Sequence, residues 1–189
     1  MARKAIHLLS VAIPLLYAGG LPRRALLVVL SVASVVALTV EVGRARHART
    51  RELFHRATGP MLRPHEHTRW CGATWLALSF LGSVALYPPD VAIAAMWGVA
   101  VGDAAAALVG RALGRHPIGH SGKTLEGTVA CFSAVLLGAL MVARLSWVES
   151  FLAAAAAAVA EIPQRPLDDN VRVAAAIGAG ILLWRMAFS

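Results

Sequence analysis

Residues 102–127 read GDAAAALVGRALGRHPIGHSGKTLEG: an alanine-rich apolar run holding one carboxylate, Asp103, and then a basic loop punctuated by glycines. Asp103 stands eight residues before Arg111, a depth of roughly 12 Å along a helix rising ~1.5 Å per residue. The chain is apolar on both sides of the loop, over 91–112 before it and 126–145 after it. Helices of about 17–25 apolar residues cross the roughly 30 Å of bilayer hydrocarbon. The stretch therefore reads as two membrane crossings joined by a short cationic loop.

The pattern continues outward in both directions. Apolar segments at 5–21, 24–42, 70–87, 147–162 and 171–187 bring the expected spans to seven. The segment 147–162, with Ala153 to Ala158, is the least hydrophobic, and Pro14 is expected to kink the first. The 189 residues are 58% hydrophobic and 15% charged, with a mean hydropathy of +0.67; soluble chains carry about 25% charged residues. The expected fold class is an all-α integral membrane protein, one polytopic domain over 1–189, with same-side loops at 43–69, 113–125 and 163–170. Met1 to Lys4 followed by an apolar run has the look of a secretory signal, but it opens a series of spans, which favours an uncleaved first helix. Cys71 and Cys131 fall inside apolar runs and read as small buried hydrophobes, not as a disulfide.

A net charge of +8 and a pI near 11.0 would suit a nucleic-acid binder. Membrane proteins concentrate Lys and Arg in cytoplasmic loops, which explains the same excess without a nucleic acid. With the amino terminus placed inside, fourteen of the 18 Lys and Arg residues fall on the cytoplasmic side. Arg23, Arg24, Arg144 and Arg185 are left outside, and the carboxyl terminus with them. The expected location is the inner (plasma) membrane, multi-pass, with any chemistry facing the cytoplasm, where nucleotides are.

Certain charged residues need a reason. A carboxylate at the depth of Asp103 costs on the order of 2.5–3.5 kcal/mol on insertion scales, so it must meet a polar cavity, a cation or a partner. An ion pair with Arg144 or Arg172 is the structural alternative. In the loop, Gly114, Gly119 and Gly122 permit backbone that turns its N–H groups inward. Lys123 precedes a helix amino terminus, which favours anions, while Arg111 and Arg115 add positive charge. This is the chemistry of a phosphate cradle. It is not a Walker A loop: Gly122-Lys123-Thr124 fits the end of that motif, but Pro117 stands where glycine is required and no strand precedes it.

Glu126, in the first turn of the next span, is either a helix-dipole partner or a metal ligand. Asp168, Asp169 and Asn170 enter the last span together. One of them as a helix cap leaves a carboxylate over, and hard oxygen ligands of this kind suit Mg²⁺ carrying a nucleotide phosphate. Glu161 adds a carboxylate on the same side. In the loop 43–69, His65 and His67 flank Glu66 without zinc-site spacing, and the arginines read as lipid-headgroup contacts; a role for Glu66 or Arg63 in the site stays open. Gly98-x-x-x-Gly102 and Gly110-x-x-x-Gly114 have the spacing that lets helices approach closely, and would permit a homodimer.

At these residues the chain resembles the polyprenol kinase family, which includes dolichol kinases, phytol kinases and CTP-dependent diacylglycerol kinases. The resemblance runs from Arg3-Lys4-x-x-His7 and Glu41-x-x-Arg44 through Arg63-x-x-Glu66, Gly102-Asp103 and Gly110-Arg111-x-x-Gly114. It continues over Gly122-Lys123-Thr124-Leu125-Glu126-Gly127 and closes with Glu161 and Asp168-Asp169-Asn170. It implies a membrane enzyme that moves a phosphoryl group, typically from CTP with a divalent metal, to a lipid alcohol. The implied catalytic residues are Asp103, Lys123 and Asp169. The nucleotide would be held by Arg111, Gly114, Arg115, Gly122, Lys123, Thr124, Glu126, Asn170 and His7, with Lys4 nearby. Mg²⁺ would be held by Asp168 and Asp169, with Asp103 or Glu126.

The middle motif is also similar to that of phosphatidate cytidylyltransferases, whose terminal Lys-Asp…His-Gly-Gly…Asp-Arg signature is replaced here by Asp168-Asp169-Asn170. A transporter would also use an intramembrane carboxylate, but with charges in both halves of the membrane.

Overall fold

The computed structural model describes residues 9–59, 69–119, 122–162 and 167–188. It is all-helical apart from one two-stranded hairpin. The helices follow the apolar segments closely. They are α1 (Ala12–Ala18), α2 (Arg23–Arg46), α3 (Ala48–Thr58) and α4 (Gly72–Leu86). After these come α5 (Pro89–Trp97), a π-helical turn (Gly98–Gly102) and α6 (Asp103–Leu113), which run on as one rod. The hairpin strands β1 (Pro117–Ile118) and β2 (Lys123–Thr124) lead into α7 (Leu125–Met141), α8 (Trp147–Glu161) and α9 (Asp169–Phe188).

Local chemistry starts these helices. Pro89 takes the first position of α5, where a missing N–H costs nothing. The Thr124 hydroxyl accepts from Gly127 N at 3.2 Å and caps α7. Ser146 and Glu149 form a reciprocal capping box on α8. Arg144, at φ 56, reverses the chain between α7 and α8. In the first segment, α1 begins only after a break at Val11, and Pro14, which has no N–H, lies just beyond it.

Three stretches are long and apolar enough to cross a membrane: Arg23–Arg46, Pro89–Leu113 and Asp169–Phe188. Gly72–Leu86 and Leu125–Met141 are apolar but shorter. α8 has 15 residues, about 22 Å at 1.5 Å each. The segment 43–69, expected as loop throughout, contains the helix α3. The loop 113–125 contains the hairpin, with Pro117 opposite Thr124 and Ile118 opposite Lys123.

Two packed pairs, α2 with α4 and α8 with α9, run antiparallel, as side-chain contacts at both ends show. Glu41 near the end of α2 accepts from Cys71 N and from Thr74 Oγ1 at the start of α4. At the other end of the same pair, Arg23 donates to the Val84 and Ala85 carbonyls. Arg172 near the start of α9 donates to Ala160 O at the end of α8, whereas Arg185 near the end of α9 pairs with Glu149 at the start of α8. The bundle so acquires two polar ends. One holds Glu41, Arg44, Lys123, Glu161, Asp168, Asp169, Asn170 and Arg172. The other is not bare: Arg185 joins Asp90 at 2.5 Å and Glu149 at 2.6 Å.

The core between the ends is close-packed around the α5–π–α6 rod, with Val91, Ala94, Met96, Val99, Val135, Ile177 and Ile181 buried. Glycines set the spacing. A Cβ on Gly138 would lie 2.0 Å from Trp97 Nε1, and one on Gly178 would lie 2.1 Å from Tyr87 Cζ.

Candidate functional site

The rod places Asp103 directly after the π turn, one of the helix defects that recur at functional sites. The turn is held by close approaches: a Cβ on Gly98 would meet Ile177 Cδ1 at 2.3 Å, and one on Gly102 would meet Val135 Cγ2 at 2.9 Å. Gly110 and Gly114 are spent in the same way, since Cβ atoms there would lie 3.0 and 2.9 Å from Thr124 Oγ1. Both small-residue pairs therefore serve close approaches within the chain.

Lys123 is carried by β2, and its Nζ donates to Glu161 Oε1 at 2.6 Å across the gap to the end of α8. The Glu161 side chain is 4% exposed and that of Lys123 26%, so the pair sits at the mouth of the bundle with its acid inside. Charge interactions link Glu161 to Asp103 and Asp169 as well as to Lys123. The Cys131 thiol, buried on α7, lies within the field of Glu161, Asp103 and Lys123. Glu161, only a marginal candidate from sequence, thus holds Lys123 directly at one end of the fold, while Asp103 and Asp169 reach it through the electrostatic field alone.

The paired aspartates divide their roles. Asp168 Oδ1 accepts from Asn170 N at 3.0 Å, which makes it the helix cap, and from Asn170 Nδ2 at 2.8 Å. Asp169 Oδ1 instead receives Arg172 Nη2 at 2.8 Å. Asn170 is buried and also donates to Gly72 O at 3.3 Å, tying α9 to the start of α4. That is a structural task for a residue expected at the nucleotide.

Other sequence candidates sit on the hairpin. Gly119 and Gly122 adopt φ of 57° and 69°, the left-handed turn that joins β1 to β2, while Gly114 has φ −63°. Glu126 accepts from His116: Nδ1 lies 2.7 Å from Oε1 and the backbone N 3.4 Å from Oε2. This clamp fastens β1 to α7 and occupies Glu126 away from the other carboxylates. Sequence gave no hint of it, because the partners meet only once the hairpin closes. Arg111 and Arg115 are exposed, and their guanidinium groups make no ion pair among the described residues. Lys4, His7, Arg63 and Glu66 lie outside the described residues.

The Glu41–Arg44 motif forms a buried lock. Arg44 pairs with Glu41, donates to Arg69 O, and covers the Phe54 ring at 4.9 Å.

Among the described residues no three His, Cys, Asp or Glu side chains converge as a ready-made metal cage. The donor chemistry still fits Mg²⁺ of the nucleotide-bound kind, which takes one or two protein carboxylates and completes its shell with phosphate and water.

No protein-family model matches the chain, and no solved structure matches it. It is 26% identical over 154 residues to the uncharacterized protein RP860 of Rickettsia prowazekii (strain Madrid E), covering 79% of this chain and 74% of that one.

Proposed function

We propose that the chain is a CTP-dependent lipid-alcohol kinase, transferring a phosphoryl group to a polyprenol or isoprenoid alcohol or to diacylglycerol. The observation that carries this reading is the Lys123–Glu161 pair with Asp103 and Asp169 at the mouth of an apolar bundle. Phosphoryl transfer is mostly positioning and neutralisation of charge, and this end of the fold supplies both signs.

Lys123 turns from Glu161 toward the phosphates, and Arg111 and Arg115 at the rim add to the cationic field. Asp169 would hold Mg²⁺, which when bound screens the phosphate oxygens. The lipid hydroxyl oxygen attacks the γ-phosphorus, and the bond from that phosphorus to the β-phosphate bridging oxygen breaks. CDP leaves with the electron pair, and Asp103 takes the hydroxyl proton.

The same reading completes the topology. All seven apolar segments cross the inner membrane, the shorter ones by local thinning of the bilayer. The fourteen-to-four division of cations supports a cytoplasmic site end.

The test is incubation of the purified chain with Mg²⁺, γ-labelled CTP, a panel of lipid alcohols and phosphatidate. Label in a lipid phosphate is the expected result and identifies the acceptor. Pyrophosphate release from phosphatidate without lipid labelling would replace the kinase by a cytidylyltransferase-type CDP-lipid synthase.

A further inference from the structure

Helix α3 lies next to a membrane-length helix but is not part of the bundle core: none of its residues is buried. It leaves α2 through a single extended residue, His47 at φ −122° and ψ 120°. It is held in place from one side, where Phe54 lies under the Arg44 guanidinium and Thr50 packs on Gly43. Arg49, Leu53 and Arg56 follow i, i+4, i+7 spacing and so share another side of the helix. All three are exposed, Leu53 by 58%.

The charges on α3 do not serve the helix itself. Its first turn has no acidic residue and contains Arg49 and Arg51, which oppose the helix dipole. Glu52 answers only Arg56, at 2.6 Å and fully in the open. The dipole cost and the exposed leucine are both resolved by one kind of surface, with apolar depth beside anionic phosphates.

We propose that α3 is an in-plane interfacial helix that binds anionic phospholipid headgroups, with Leu53 dipping into the acyl boundary and Arg49 and Arg56 on the phosphates. Its position supports this occupant. α2, at 24 residues, is long enough to cross the bilayer, so α3 begins where such a crossing ends. The site stands whether or not the chain turns over CTP.

The experiment is native mass spectrometry of the full chain in detergent, titrated with phosphatidylglycerol or with phosphatidylcholine. The unaltered chain should retain phosphatidylglycerol preferentially. In R49Q/R56Q that preference should fall by roughly fivefold for each arginine removed. R49K/R56K should keep it, which separates lost charge from lost fold. Equal retention of both lipids by the unaltered chain, or an undiminished preference in the glutamine variant, would overturn the proposal. So would displacement of phosphatidylglycerol by millimolar inorganic phosphate, which would make this a phosphate site and not a lipid surface.

Discussion

Lys123 Nζ lies 2.6 Å from Glu161 Oε1, although the two residues are 38 positions apart and belong to a hairpin and to the end of a helix. The acid is the more deeply buried partner. A nucleotide phosphate that engages Lys123 must therefore draw it away from a carboxylate that water barely reaches.

Removing Lys123 has two separable consequences. In Lys123→Ala, turnover is lost and Glu161 is stranded, which lowers stability toward the lower end of the roughly 3–5 kcal/mol typical of a broken buried pair. Lys123→Ala/Glu161→Gln should melt close to the unaltered chain in detergent and still be inactive. A double variant as unstable as the single one would show that the pair is not the source of the loss.

The adjacent aspartates should part company on substitution. Asp168→Ala removes the cap on α9 and costs about 1 kcal/mol, which Asp168→Ser restores. Asp169→Asn keeps the cap and should abolish phosphoryl transfer with little change in melting. Melting curves and turnover measured side by side decide it. Unimpaired turnover in Asp169→Asn would remove that residue from the site.

Glu41 answers to stability alone. Glu41→Ala leaves Arg44, the Cys71 N–H and the Thr74 hydroxyl without their acceptor in a buried place. A loss of roughly 3–5 kcal/mol is expected. Glu41→Gln, which keeps one acceptor oxygen, should lose less. Thermal denaturation in detergent reads the difference.

Gly98 tests the packing behind Asp103. A methyl group there collides with Ile177 Cδ1 at 2.3 Å, while its other neighbours lie at 3.6 and 3.7 Å. Gly98→Ala should cost about 1–3 kcal/mol by overpacking. Ile177→Val deletes the colliding carbon, so Gly98→Ala/Ile177→Val should recover most of the loss. No recovery would place the strain in the π turn itself.

α3 was missed because its only large apolar residues, Leu53 and Phe54, are adjacent and mark no helical period among the arginines. The glycine spacings signalled close approach but not its object, which proved to be Ile177, Val135 and Thr124 of the same chain.

The sequence by itself determined where the apolar helices lie and that its cations crowd toward one set of helix ends. It also singled out Asp103, Lys123 and Asp169 as candidate site residues. Tertiary structure decided who meets whom: Lys123 with Glu161, Glu126 with His116, Asp169 with Arg172, Asn170 with Gly72 across 98 positions. The Glu126 and Asn170 pairings give structural partners to two groups that composition alone offers to a ligand. The reason is geometric. Spacing along a chain fixes a residue's place on its own helix, whereas partners across helices depend on which elements pack side by side and at which end they meet.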